Sequence, residues 1–123
     1  MKTEIEVTFE NGYIKIISNG EKNLDLAKKV WSRAVETCVT HNCYKILGIA
    51  NTTKPISTID GFDHKDLFHE LGINYKYRIA WVELNPKVIE KYHFIEAVLQ
   101  NRGLPGKLFN NINEAKNWFL NDT

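Results

Sequence analysis

From residue 4 the chain alternates: Glu4, Ile5, Glu6, Val7, Thr8, Phe9. Successive side chains of a strand point to opposite sides, so Ile5, Val7 and Phe9 share one face. Asn11-Gly12 follows, the strongest short signal for a hairpin turn. Tyr13-Ile14-Lys15-Ile16-Ile17 is then a second run of β-forming residues. Residues 4–18 are predicted as an antiparallel hairpin ending at the Asn19-Gly20 turn. The period then changes to that of a helix. Leu24, Ala27, Val30, Trp31, Ala34, Val35, Cys38 and Val39 make one apolar stripe, with Asn23 as its N-cap and His41-Asn42 at its end. Tyr44 to Ala50 is a nearly continuous apolar run, the mark of a central strand covered on both faces.

Asn51 to Gly61 is the one long irregular stretch. Loops of such length in a compact domain are functional or mobile. A short helix over 63–71 is expected next, capped by Asp63 with Asp66 in its first turn. It is anchored by Phe62, Leu67, Phe68 and Leu71 and stopped by Gly72. Tyr77 to Leu84 reads as a strand. Asn85 and Pro86 open a helix with Val88, Tyr92, Ile95 and Leu99 on one face, which Gly103, Pro105 and Gly106 end. Lys107-Leu108-Phe109 is a short strand. Asn111 and Glu114 form a capping-box pattern before a last helix over Ile112 to Leu120, in which Ala115, Trp118 and Phe119 face the sheet.

The element order is β-β-α-β-α-β-α-β-α. Neighbouring strands joined by a helix lie parallel, and a parallel sheet needs helices over it. The expected class is therefore α/β: a mixed, mainly parallel sheet with an N-terminal hairpin and helices packed on it. At 123 residues the chain suits one domain, and its 43% hydrophobic and 25% charged residues are ordinary for a globular protein. A net charge of +1 gives no general attraction to nucleic acid or anionic membrane. No apolar run approaches the roughly 18 residues that a membrane span needs. Met1 to Glu6 carries acids where a signal peptide carries an apolar stretch, so a cytoplasmic location is expected. Cys38 and Cys43, the two cysteines, stand in a C-x4-C spacing unlike a redox or zinc pair and are read as interior hydrophobes.

The order of elements resembles the STAS-like family of anti-sigma-factor antagonists, in particular its bacterial SpoIIAA-like branch. The residues that carry the resemblance are Arg78-Ile79-Ala80-Trp81-Val82, Phe109 closing the last strand, and Glu114-Ala115 with Trp118-Phe119-Leu120 on the last helix. It implies a non-enzymatic regulatory module that works by binding a protein partner. In the classical branch a serine of an Asp-Ser-Ser-Gly-like motif, at the start of the helix after the central strand, is phosphorylated to break the complex. The matching stretch here is Asn51 to Gly61, which lacks that motif. Ser57 and Thr58 precede Asp60-Gly61, so they are the hydroxyls available for phosphorylation, and the classical switch is not expected.

In an open α/β sheet, ligands bind beyond the carboxyl ends of the strands. Those ends carry Asn51, Thr52 and Thr53, Asn85, and Asn110-Asn111, a rim of amides and hydroxyls able to bond a polar ligand or a partner's backbone. Asn85 and Asn111 are equally accounted for as helix caps. With the loop added, the candidate binding residues are Asn51, Thr52, Thr53, Ser57, Thr58, Asp60 and Asn85. Asp60, Asp63, His64, Asp66, His69 and Glu70 form the densest acid and histidine cluster. His64 and His69 are five apart, which turns them about 140° from each other on a helix. No metal site, catalytic residue or cofactor is assigned. Tyr75 and Tyr77 flank Lys76 and Arg78, but the low net charge argues against a nucleic-acid surface. The alternative to a protein-binding module is a carrier of a small apolar or lipid ligand, in a pocket under helix 63–71. It is suggested by the likeness of SpoIIAA-like proteins to lipid-carrying CRAL-TRIO domains. The oligomeric state is left open.

Overall fold

The structure is a computed structural model. It describes residues 4–103 and 106–121, with side chains described as far as Phe119. Its elements are β1 (Glu4–Glu10), β2 (Tyr13–Glu21), α1 (Leu24–His41), β3 (Lys45–Lys54), α2 (Thr58–Phe62), α3 (His64–Glu70), β4 (Arg78–Glu83), α4 (Ile89–Gln100), β5 (Gly106–Phe109) and α5 (Ile112–Asn121). Pro105, expected to help end the helix before β5, lies outside the described residues.

The strands form one sheet in the order β1-β2-β3-β4-β5. β1 pairs antiparallel with β2, and every later pairing is parallel. The expected mixed, mainly parallel α/β sheet is therefore what forms. Because the order never reverses, right-handed crossovers place α1, α2–α3 and α4 on the same face. The cores agree. Ile14, Ile16, Ile46 and Ile79 face α1 and α3. Leu47, Ala80 and Val82 face α5, which covers the other side through Ala115 and Phe119.

Several local expectations hold for the reasons given. Gly12 takes the turn's positive φ of 94°. Asn23 Oδ1 accepts from the Leu26 N–H at 2.9 Å, and Asn111 Oδ1 from the Glu114 N–H at 3.0 Å. Trp31 and Cys38 are buried in the core, and burial pushes the Cys38 thiol up to about 12. It is an inert thiol.

Other expectations are corrected. β2 does not stop at Asn19-Gly20. Gly20 has φ 100° but forms a bulge, and β2 runs on to Glu21 because β3 continues beside it as far as Lys54. The irregular stretch is accordingly confined to residues 55–57. The single helix expected over 63–71 is two. Ser57 caps α2, its Oγ accepting from the Asp60 N–H at 3.1 Å, while Asp63 makes no side-chain cap for α3. Val39 leaves the apolar stripe and is exposed, as is Phe62. Asn85 and Pro86 precede α4 by a turn instead of opening it. Asn85 Oδ1 accepts from the Lys87 N–H at 3.0 Å, and its Nδ2 donates to the Thr52 carbonyl at 2.6 Å, tying the segment to β3.

Candidate functional site

At the carboxyl ends of β3 and β4 a polar cluster is built around Glu83. Period-two geometry puts Glu83 on the same face as Ile79 and Trp81, under the crossover helices. It is 1% exposed. Its Oε2 accepts from the Thr52 N–H at 3.1 Å and the Asn85 N–H at 3.0 Å, and its Oε1 from the Thr52 hydroxyl at 2.5 Å. Thr52 is also fully buried. Its one hydroxyl proton goes to Glu83, so the Tyr92 O–H on α4 is the donor towards Thr52 Oγ1, at 3.5 Å. Burial pushes the Tyr92 phenol up to about 12. The cluster binds the two strand ends to each other and to α4.

Lys22, just after β2, completes this end of the molecule. Its Nζ donates to the Ser18 carbonyl and to Ser18 Oγ, both at 2.6 Å. Burial lowers its pKa to about 8, and the charge of Glu83 opposes part of that fall. Beside Lys22 opens a cavity of about 120 Å³. Val30, Trp31, Phe68, Ile79, Ile95 and Leu99 supply its apolar wall, and its polar groups include Ser18, Lys22, His64, Tyr92, Glu96 and Lys107. His64 is buried, with Nδ1 2.8 Å from the Asp60 carbonyl, and burial lowers its pKa. The ring is therefore neutral, Nδ1 carries the proton, and Nε2 is left as an acceptor.

The residues singled out from sequence separate into two groups. Thr52 turns inward into the Glu83 cluster, so it does not stand on an exposed rim. Asn85 joins that cluster through its N–H and its side-chain amide. Asn51, Thr53, Ser57 and Thr58 are exposed on the outer side of the same strand end and α2. Asp60 Oδ2 accepts from the Leu24 N–H at 3.1 Å, which ties α2 to the start of α1. Ile59 and Phe62 of α2 project outward, 73% and 47% exposed. Tyr77 is buried against Tyr44, so Tyr75 and Tyr77 do not form one surface.

Glu83, Lys22 and His64 were not among the candidate binding residues. The readable signal for Glu83 was an acid in phase with Ile79 and Trp81 in an otherwise apolar strand. For the start of α2 it was the spacing Ser57-x-x-Asp60, a capping pattern. Lys22 carried no signal, because the burial beside Glu83 that sets it apart depends on β4, far away in the chain.

A mixed five-stranded sheet in sequential order, with three crossovers on one face and a terminal helix on the other, is the STAS fold. The crystal structure of an anti-sigma factor antagonist from Mycobacterium paratuberculosis shares it. That structure matches with a TM-score of 0.66 over 97% of this chain and 95% of that chain, at 11% sequence identity. The sequence matches no family profile and no curated protein. The likeness is one of fold, and it agrees with the element order read from the sequence.

Proposed function

We propose that this chain is a non-enzymatic regulatory module that binds a protein partner, an anti-sigma factor being the class its structural neighbour suggests. The observation that carries the reading is the surface of α2. Ile59 and Phe62 stand exposed there, with the exposed hydroxyls of Ser57 and Thr58 and the strand-end residues Asn51 and Thr53 close by in the chain. Apolar anchors within a polar surround are what protein interfaces use. Binding proceeds without the classical phosphoserine switch. In support, the Asp-Ser-Ser-Gly-like motif is missing and the Ser57 hydroxyl already caps α2. Among the described residues no helix is long and apolar enough to cross a membrane, and we place the chain in the cytoplasm with its partner.

The test is a titration of the purified chain with the purified anti-sigma factors of its host. Wild type is expected to bind one of them, and the double variant Ile59→Asp, Phe62→Asp to bind at least about ten-fold more weakly. Equal binding by both, or no binding by wild type, refutes the reading. Ser57→Asp is expected to leave the affinity within about two-fold, a change of about 0.4 kcal/mol.

A second reading has its own observation. The cavity between α1, α3 and α4 has a mainly apolar wall with a few polar side chains in it, the usual make-up of a small-molecule site. From the helix over 63–71, His64 and Phe68 line it, and Leu67, Leu71 and the preceding Phe62 do not. In this reading ligand and partner binding belong to the same end of the sheet.

A further inference from the structure

We infer that the cavity is a binding site for a small amphipathic carboxylic acid, with its apolar body against Val30, Trp31, Phe68 and Leu99 and its carboxylate on the Lys22 ammonium. The inference rests on the second reading above, that the cavity takes a ligand, and adds the chemical class of that ligand.

Size sets the apolar part. The cavity holds about 120 Å³. An apolar cavity of roughly 150 Å³ stays dry and takes up benzene. The body that fits is therefore one ring or a short acyl chain, not a full lipid tail.

The head group follows from which polar atoms at the cavity are already engaged. Glu96 lines the cavity and Glu83 acts on Lys22 from nearby, and both carboxylates already hold donors. Glu83 accepts from Thr52 N–H, Thr52 O–H and Asn85 N–H. Glu96 accepts from the Leu108 N–H at 2.7 Å through Oε2, and its Oε1 lies 3.1 Å from His93 Nδ1. A cationic head would have to share a carboxylate whose two oxygens both already accept, and would meet the Lys22 ammonium as a like charge. The Lys22 ammonium has three N–H donors. Two are placed on Ser18, which leaves one for a ligand. α1 begins immediately beyond Lys22 with Asn23 as its cap, and Asn23 and Leu26 line the cavity. Glu83 helps keep Lys22 protonated. An ammonium and a carboxylate meeting in a partly desolvated site make a strong, charge-assisted bond.

The experiment is calorimetric titration of the full chain at neutral pH with hexanoate, benzoate, hexan-1-ol and benzyl alcohol. The chain and ring pairs differ in body, and each acid differs from its alcohol in head. Wild type is expected to bind at least one acid about ten-fold or more tighter than its alcohol. Lys22→Met, which keeps the apolar stem, is expected to bring that acid to the level of its alcohol and to leave the alcohol unchanged. Lys22→Arg is expected to keep the preference for the acid. Val30→Phe, which fills the cavity, is expected to weaken all four, and far-ultraviolet circular dichroism checks that each variant is folded. Equal binding of acid and alcohol, or an acid preference that survives Lys22→Met, overturns the carboxylate assignment while the cavity reading stands. If no compound binds wild type, both fall.

Discussion

Replacing Glu83 by alanine removes a buried acceptor from three donors: Thr52 N–H, Thr52 O–H and Asn85 N–H. The costs differ from donor to donor. The Thr52 N–H is buried and loses its acceptor outright, which costs about 2 kcal/mol. The Asn85 N–H is only partly buried and can reach water, so about 1 kcal/mol is lost there. The Thr52 hydroxyl can turn towards Tyr92, 3.5 Å away, so it adds little. Losing the packing of the side-chain methylenes adds about 1 kcal/mol. Relief from burying a charge offsets part of this, giving a net destabilisation of about 3 kcal/mol. Glu83→Gln keeps an oxygen for the two N–H groups, and its amide can donate to a re-turned Thr52 hydroxyl. It exchanges charged for neutral hydrogen bonds and is expected to cost about 1 kcal/mol. Urea unfolding followed by tryptophan fluorescence measures both, with an unchanged slope confirming that the unfolding reaction is the same. If alanine costs no more than glutamine, the cluster does not hold the strand ends together and the reasoning is wrong.

Two further outcomes are expected. A Cβ on Gly48 would collide with the Trp81 ring, which is packed on Trp31 at 5.4 Å and borders the cavity. Gly48→Ala is therefore expected to cost about 1–3 kcal/mol in the same urea assay and to weaken any cavity ligand, because the ring can yield only into that space. Lys22 gives a pH dependence whose sign is definite. Its pKa falls from 10.5 to about 8 on folding, so between those values the unfolded chain holds a proton that the folded chain lacks. Stability then rises with pH through this window from this group. Tyr92 and Cys38, whose pKa values are raised, act in the opposite direction at high pH. The measurable quantity is accordingly the difference between wild type and Lys22→Met, which is expected to move in favour of wild type as pH rises above about 8. A flat difference contradicts the partly buried placement of Lys22.

The fold was legible because its signals are local and repeated. The alternation in β1, the Asn11-Gly12 turn, the long stripe of α1 and the caps Asn23 and Asn111 each depend on residues within one or two turns of each other. The errors came where a distant strand intervened. Gly20 looked like a turn, and only the continuation of β3 alongside made it a bulge. Asn85 looked like a cap until its side chain was drawn to the Thr52 carbonyl. At the site, Thr52 and Asn85 were chosen as rim residues, and the structure folds them into a buried cluster with Glu83. Asn51, Thr53, Ser57 and Thr58 remain outside.

The sequence by itself determined the class of the protein: hairpin, helices, parallel strands, and so a mixed, mainly parallel α/β sheet. Those choices follow from periodicity and from capping, which are properties of neighbours in the chain. What only the tertiary structure decided is which residues meet at the strand ends. Lys22, Thr52, Glu83 and Tyr92 come from four separate segments, and sequential strand order with right-handed crossovers brings them to one face. The cavity beside them has the same origin, since a space between α1, α3 and α4 is a property of how helices pack and no single segment encodes it.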